Sequence, residues 1–225
     1  RTLSITIHGD MDISIIDELP KNRLPIITKV VEPNKLNEVY LFMKKQMDLG
    51  KQCFIVYPLI EESEKLDLQA AEVGYKKLSS TIFQDYNLGY IHGKMKKDER
   101  DGQMKKMFDN TMQCLVSTTV IEVGVNIPNA TIMLIENAER FGLTQLHQLR
   151  GRIGRGIEQS YCILVKHKST KDASLRLNIM ENTTDGFKIS DEDLKLRGPG
   201  EFFGTKQHGH LKSKLVNYGI DTKII

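Results

Sequence analysis

Short, unbroken apolar runs alternate with longer amphipathic stretches along this chain. Residues 26–31, 53–57 (CFIVY), 88–92, 113–119, 131–135 and 160–166 (SYCILVK) each have the length of a strand, and most are rich in β-branched and aromatic residues. The run at 53–57 has no polar alternation, which predicts a strand covered on both faces of a parallel sheet. Between the runs lie helical patterns. Residues 35–49 open after Pro33 and Asn34, close at Gly50, and set Leu36, Val39, Tyr40 and Met43 on one stripe. An acidic surface loop is expected at 61–67, then a helix over 68–83. A third helix is expected over 97–110, with Met104, Met107 and Phe108 facing inward. Strands and helices alternating at this spacing predict an α/β fold: an open, mostly parallel sheet with helices on both faces. Ligands in such sheets sit beyond the C-terminal strand ends, where residues 58–64, 92–95 and 117–125 fall.

The two ends differ from this middle. Leu3, Ile5 and Ile7 alternate as in an extended segment, and residues 10–20 read as a connector. After Thr170, residues 171–181 are amphipathic and helical in pattern, and Asp185-Gly186 marks a turn. Ser190, with Glu192 and Asp193 behind it, has the form of a helix N-cap. The run LRGPGEFFGTKQHG is too rich in glycine for a sheet element, and residues 212–225 carry no usable signal.

Composition changes this picture little. At 225 residues, 40% hydrophobic and 27% charged, the chain is an ordinary globular protein. A net charge of +3 permits nucleic-acid binding only through a local patch. Cys53, Cys114 and Cys162 are far apart in apolar runs and read as buried, reduced thiols of a cytoplasmic protein. No apolar run is long enough to span a membrane, so no membrane partner is expected. Arg1 is not a natural start, so the chain reads as part of a longer protein.

Three blocks carry candidate chemistry. In QLHQLRGRIGR (145–155), Arg152 and Arg155 stand three apart, each behind a glycine. On a helical turn they share a face, and two guanidiniums can grip a phosphate by bidentate bonds. Such a pair alone is more often a solvated basic face. In STTVIEVGVNIP (117–128), small hydroxyls follow a buried strand; they can bond phosphate or simply cap the next helix. In YIHGKM (90–95), His92, Gly93 and Lys94 can meet a phosphate at a helix start, or can be solvated surface.

Taken together, VYPLIEESEKLDLQAA, HGKM, STTVIEVGVNIPNAT, ENAERFGLTQLHQLRGRIGR and DLKLRGPGEFFGT resemble the RecG family of bacterial DNA helicases, in helicase superfamily 2. The resemblance covers nearly the whole chain. It implies a RecA-like C-terminal motor domain at 26–168. A connector from the first motor domain would occupy 1–25, and a helical-hairpin and loop translocation extension 169–225. It implies that Arg152 and Arg155 are arginine fingers for ATP held by the first motor domain. Glu122, Gly124, Asn126 and Gln148 would line the ATP cleft, and Asn126 replaces the family's usual aspartate. His92, Gly93, Lys94, Thr118 and Thr119 would contact DNA phosphates. Arg176, Arg197 and Gln207 would couple ATP state to DNA movement, although surface ion pairing also accounts for the two arginines.

The chain lacks a phosphate-binding G-x-x-x-x-G-K-[ST] loop and the acidic Mg²⁺ motif, which the family carries on its first motor domain. ATP and Mg²⁺ are therefore expected to be held mainly there, with no metal site in this chain. The expected partners are forked or branched double-stranded DNA, and the first motor and wedge domains of the same polypeptide. A monomer is expected. Two other readings fit the same residues: an RNA helicase of the superfamily, and a nucleic-acid-binding module that never meets ATP.

Overall fold

The computed structural model describes residues 24–59, 64–118 and 127–197. The elements are β1 (Ile27–Val31), α1 (Leu36–Asp48), β2 (Gln52–Tyr57), α2 (Glu64–Lys77), β3 (Leu88–Ile91), α3 (Lys97–Phe108), β4 (Cys114–Thr118), β5 (Ala130–Ile135), α4 (Leu143–Arg150), β6 (Tyr161–Val165), α5 (Lys171–Asn182) and α6 (Gly186–Arg197). The six strands form one all-parallel sheet, in the order β1-β6-β5-β2-β4-β3.

Strand side chains alternate between faces, so each central strand feeds two cores. Phe54, Val56, Leu115, Met133, Ile135, Cys162 and Leu164 point to the face covered by Met104 and Met107 of α3, Leu143 and Leu146 of α4, and Leu177 and Met180 of α5. Cys53, Ile55, Cys114, Val116, Ile132, Leu134, Ile163 and Val165 point to the other face. There they meet Val39, Met43 and Met47 of α1, and Leu78 and Phe83 beyond α2. Each fully buried aliphatic side chain contributes about 1.5–3 kcal/mol. The three thiols are buried, and burial pushes those of Cys114 and Cys162 up to about 12 and that of Cys53 well above its ordinary value. They are packing groups rather than nucleophiles.

Several expected boundaries shift. α2 begins at Glu64, so part of the expected acidic loop is the acidic first turn of a helix. The α-helix ends at Lys77, and the chain continues as a π turn over Leu78–Ile82. Phe108 is 67% exposed rather than inward. Met112 takes its place: the chain turns at Asn110 (φ 57), and the Met112 thioether packs over Gly89 of β3, where a Cβ would clash with it. Ser190 lies inside α6 and caps nothing. The cap is Asp185, whose carboxylate accepts from the backbone N–H of Phe187 (2.9 Å) and of Lys188 (3.3 Å). α5 starts where expected, capped by the Thr170 hydroxyl, which accepts from Ala173 N–H at 3.2 Å. The extended segment at residues 3–7, the connector at 10–20 and the glycine-rich loop after 198 lie outside the described residues.

Candidate functional site

α4 is the element that delivers the arginine pair. Its N-terminus is fixed by the Gln145 side chain, which accepts from Gly142 N–H at 3.0 Å. Leu143, Leu146 and Leu149 bury its inner stripe. The helix ends at Arg150, with Gly151 as its C-cap. Arg152 and Arg155 therefore do not share a helix face; both lie beyond the helix, Arg152 on the turn that ends it and Arg155 in the loop that follows. Between them Ile153 is fully buried, and Gly154 adopts φ +67. A Cβ on Gly154 would lie 2.9 Å from Ile26 Cγ1, so only glycine fits this left-handed corner. Both arginines are half-buried, and Arg155 Nε donates to Gly151 O over 3.4 Å.

The loop continues along the start of the strands. Gly156 packs against the Pro128 carbonyl, two residues before β5. Glu158 pairs with Lys51 at 3.1 Å, one residue before β2. Gln159 Nε2 donates to Pro25 O at 2.8 Å, two residues before β1. In an all-parallel sheet these positions share one edge. The arginines thus stand at the N-terminal edge of the sheet.

The other candidates stand at the opposite edge. Tyr57 pairs with Thr118 and Ile91 with Ser117, which brings the ends of β2, β3 and β4 side by side. His92 follows β3 and packs against the Tyr90 ring at 5.4 Å. Its Nδ1 is buried, with no hydrogen-bond partner among the described residues. Gly93 has open space around it, and Lys94 pairs with Glu64 at 3.0 Å. The charge of Lys94 is therefore balanced by Glu64, and Asp98 and Glu99 add negative charge in the first turn of α3. Thr118 is only 1% exposed, and its hydroxyl has no partner among the described residues. Gln148 is exposed on α4. Thr119, Glu122, Gly124, Asn126 and Gln207 lie outside the described residues, and Arg197 is the last residue of α6.

A polar network at this C-terminal edge was not foreseen. Arg140 clasps Asp67 of α2 with two bonds, of 2.6 and 3.0 Å. Glu136, just after β5, meets His167 Nε2 at 2.9 Å. The Glu139 carboxylate accepts from the backbone N–H of His167 and of Lys168, each at 3.1 Å. Arg176 on α5 donates to Glu139 O at 2.9 Å. That contact joins the C-terminal helices to the segment after β5 through a backbone carbonyl, not a surface ion pair. Asp67 is 6% exposed, so Asp67→Asn, which weakens a bidentate charged pair, is expected to lower stability by about 2 kcal/mol. Urea denaturation checks this; a loss below about 0.5 kcal/mol contradicts it.

Arg150 was also missed. It is 3% exposed. Its Nη1 donates to Thr28 Oγ1 (3.2 Å), Met180 O (2.9 Å) and Thr183 O (2.9 Å), and its Nη2 lies 3.2 Å from His147 Nδ1. Burial, and then the neighbouring guanidinium, hold His147 below its ordinary pKa, which favours a neutral ring accepting at Nδ1. The signal was in the spacing: Arg150 falls seven residues after Leu143 and four after Leu146, on the apolar stripe.

Among the described residues no group of three His, Cys, Asp or Glu side chains is placed to hold a metal ion, and no helix is long and apolar enough to cross a membrane. Residues 33–156 match the helicase conserved C-terminal domain family, and residues 183–225 match the C-terminal part of domain 3 of the ATP-dependent DNA helicase RecG. The chain is 52% identical to the ATP-dependent DNA helicase RecG of Synechocystis sp. over all of its length, and 50% identical to that of Bacillus subtilis over 96% of it. It spans 27% and 32% of those proteins. A solved structure of RecG bound to a three-way DNA junction superposes with a TM-score of 0.75 at 44% identity, covering 89% of this chain and 26% of that one. Domain 2 of the DEAD-box helicase Mss116p bound to an RNA duplex matches at a TM-score of 0.55 and 19% identity, covering 75% of this chain and 68% of that one, which is likeness of fold alone.

Proposed function

The chain belongs to the RecG family of helicases, and on that footing we propose that it is the second motor half of an ATP-dependent translocase on forked double-stranded DNA. One observation carries the reading: 89% of the chain superposes, at 44% identity, on a RecG bound to a three-way DNA junction. In this proposal residues 26–168 are the motor half, residues 1–25 lead in from the first motor half, and residues 169–225 form the translocation extension. The protein works in the cytoplasm, on DNA that its first motor and wedge domains also grip.

Arg152 and Arg155 suit a triphosphate: two half-buried arginines on one loop, held apart by the buried Ile153 and by Gly154 packed on Ile26. They stabilise charge on the γ-phosphate once the halves close, and Gln148, Glu122, Gly124 and Asn126 line the same cleft. ATP supplies the free energy of the cycle. In this proposal the groups that hold Mg²⁺ belong to the first motor half, which carries the phosphate-binding loop. At the other edge His92, Gly93, Lys94, Thr118 and Thr119 hold DNA phosphates, which gives register without sequence preference. A phosphate contact from Thr118 requires that its hydroxyl be uncovered. Arg176, Arg197 and Gln207 pass cleft closure on to the DNA.

The test is ATP hydrolysis by the full-length protein with no nucleic acid, linear duplex, a model fork or single-stranded RNA, with fork remodelling scored in parallel and this chain alone as control. The expected result is strongest stimulation by the fork, with remodelling, and no turnover by this chain. Stimulation by RNA alone, or by nothing, overturns the substrate; turnover by this chain alone overturns the division of labour. Alanine at Arg176, Arg197 or Gln207 that leaves remodelling and hydrolysis in their normal ratio removes the coupling role.

A further inference from the structure

We propose that Gln159 is a positioning residue that ties the arginine loop to the lead-in of β1, so that the two move as one body. The inference rests on the arginine reading above and adds a residue to it. Parallel pairing of β1 with β6 begins at Ile27 and Tyr161, and Ile27 N–H donates to Ser160 O at 3.0 Å. Backbone pairing cannot extend further on that pattern, because Pro25 has no N–H. Gln159 replaces it with a side chain. Its Nε2 donates to Pro25 O at 2.8 Å and to Ser160 O at 3.1 Å, so one amide clamps both strands just below the sheet.

The arginine loop is fixed to the same lead-in from its other side. Gly154, between Arg152 and Arg155, packs so closely on Ile26 that no Cβ fits. The loop therefore touches residues 25–26 twice, through Gly154 and through Gln159, with Arg155 between the two contacts. On the domain reading above, the first motor half feeds into the chain at this point. Relative motion of the halves then acts on Pro25 and Ile26 and reaches the arginines through Gln159 and Gly154. The sheet edge turns domain closure into finger placement. Lys51 with Glu158 adds a third anchor, but an exposed one.

The test uses the full-length protein with a model fork. Gln159→Glu keeps the shape and loses the donor; Gln159→Lys changes the shape and keeps a donor of similar reach; Gln159→Ala removes both. If the donor positions the loop, kcat for hydrolysis falls roughly fivefold in Glu and Ala and recovers in Lys, the scale of one lost hydrogen bond. KM for ATP stays within about twofold, because ground-state binding is retained, and the melting temperature is unchanged. Wild-type kcat in Gln159→Glu, a fall in Gln159→Lys equal to that in Gln159→Glu, or a fall in kcat that follows the melting temperature would each overturn the inference. Arg155→Ala runs beside them. If it is inactive while Gln159→Glu is normal, only the positioning role is lost; if it is active, the arginine reading itself falls.

Discussion

Alanine in place of Arg155 is expected to lower fork-stimulated ATP hydrolysis by the full-length protein about 10³-fold while leaving its affinity for the fork within about twofold. A 10³-fold loss is about 4 kcal/mol of barrier. One guanidinium supplies that much only if it meets developing charge in a closed, water-poor cleft. Lysine in its place should recover little, because an ammonium does not reproduce bidentate geometry. DNA affinity should survive, since Arg155 is at the N-terminal edge of the sheet and the proposed phosphate contacts are at the C-terminal edge. Fold stability is checked beside activity: as a half-exposed loop residue, Arg155 replaced by alanine is expected to leave the melting temperature near wild type. Steady-state hydrolysis and fork-binding titrations at fixed salt separate the two effects. Turnover within tenfold of wild type would mean that Arg155 is not a finger, whatever its neighbours do. Arg152→Ala should behave alike, because Ile153 buried between the two arginines fixes them as one unit.

The separation of these edges is the part of the architecture that sequence reading did not reach. The strands were legible because β2, β5 and β6 are short, nearly continuous apolar runs between helical patterns, as in a doubly covered parallel sheet. That the ends of β2, β3 and β4 share one edge follows from strand polarity alone. The arginine loop does not. It follows β5 as the others follow their strands, but α4 first carries the chain back across the sheet face, and its length decides which edge the loop reaches. The glycine between the arginines was visible in the spacing; that it packs on Ile26 is a tertiary fact. The same holds for the network after β5. Nothing in their spacing singles out Glu136, Glu139 and Arg140, and only their placement beside Asp67, His167 and Arg176 makes them a brace. Phe108 and Ser190 failed for a local reason. Near a helix end, side-chain spacing gives no signal about which residue the following turn will bury, and two good capping residues, Asp185 and Ser190, compete within six positions.

Replacing Arg150 with methionine is expected to destabilise the chain by about 3 kcal/mol or more, although Arg150 touches neither ATP nor DNA in the proposed mechanism. Arg150 is 3% exposed and is held by neutral acceptors: Thr28 in β1, the carbonyls of Met180 and Thr183 at the end of α5, and the His147 ring one turn earlier in α4. Methionine fills much of the volume but donates to none of them, so buried oxygens lose their partners. Lysine should restore only part of the loss, since one ammonium cannot reach acceptors spread over three elements as a planar fork does. Urea denaturation of the chain measures the difference, and a loss below about 1 kcal/mol would mean that water replaces the guanidinium at these sites. A second readout is independent of stability. Burial comes first among the causes that hold His147 below its ordinary pKa, and the Arg150 charge second. Removing that charge should move the His147 titration upward, visible in its ring-proton shifts. An upward shift together with a large stability loss would establish Arg150 as the charged tie between the arginine helix and the C-terminal helices; an unchanged titration would place the guanidinium away from the ring and weaken the account of how α4 is held.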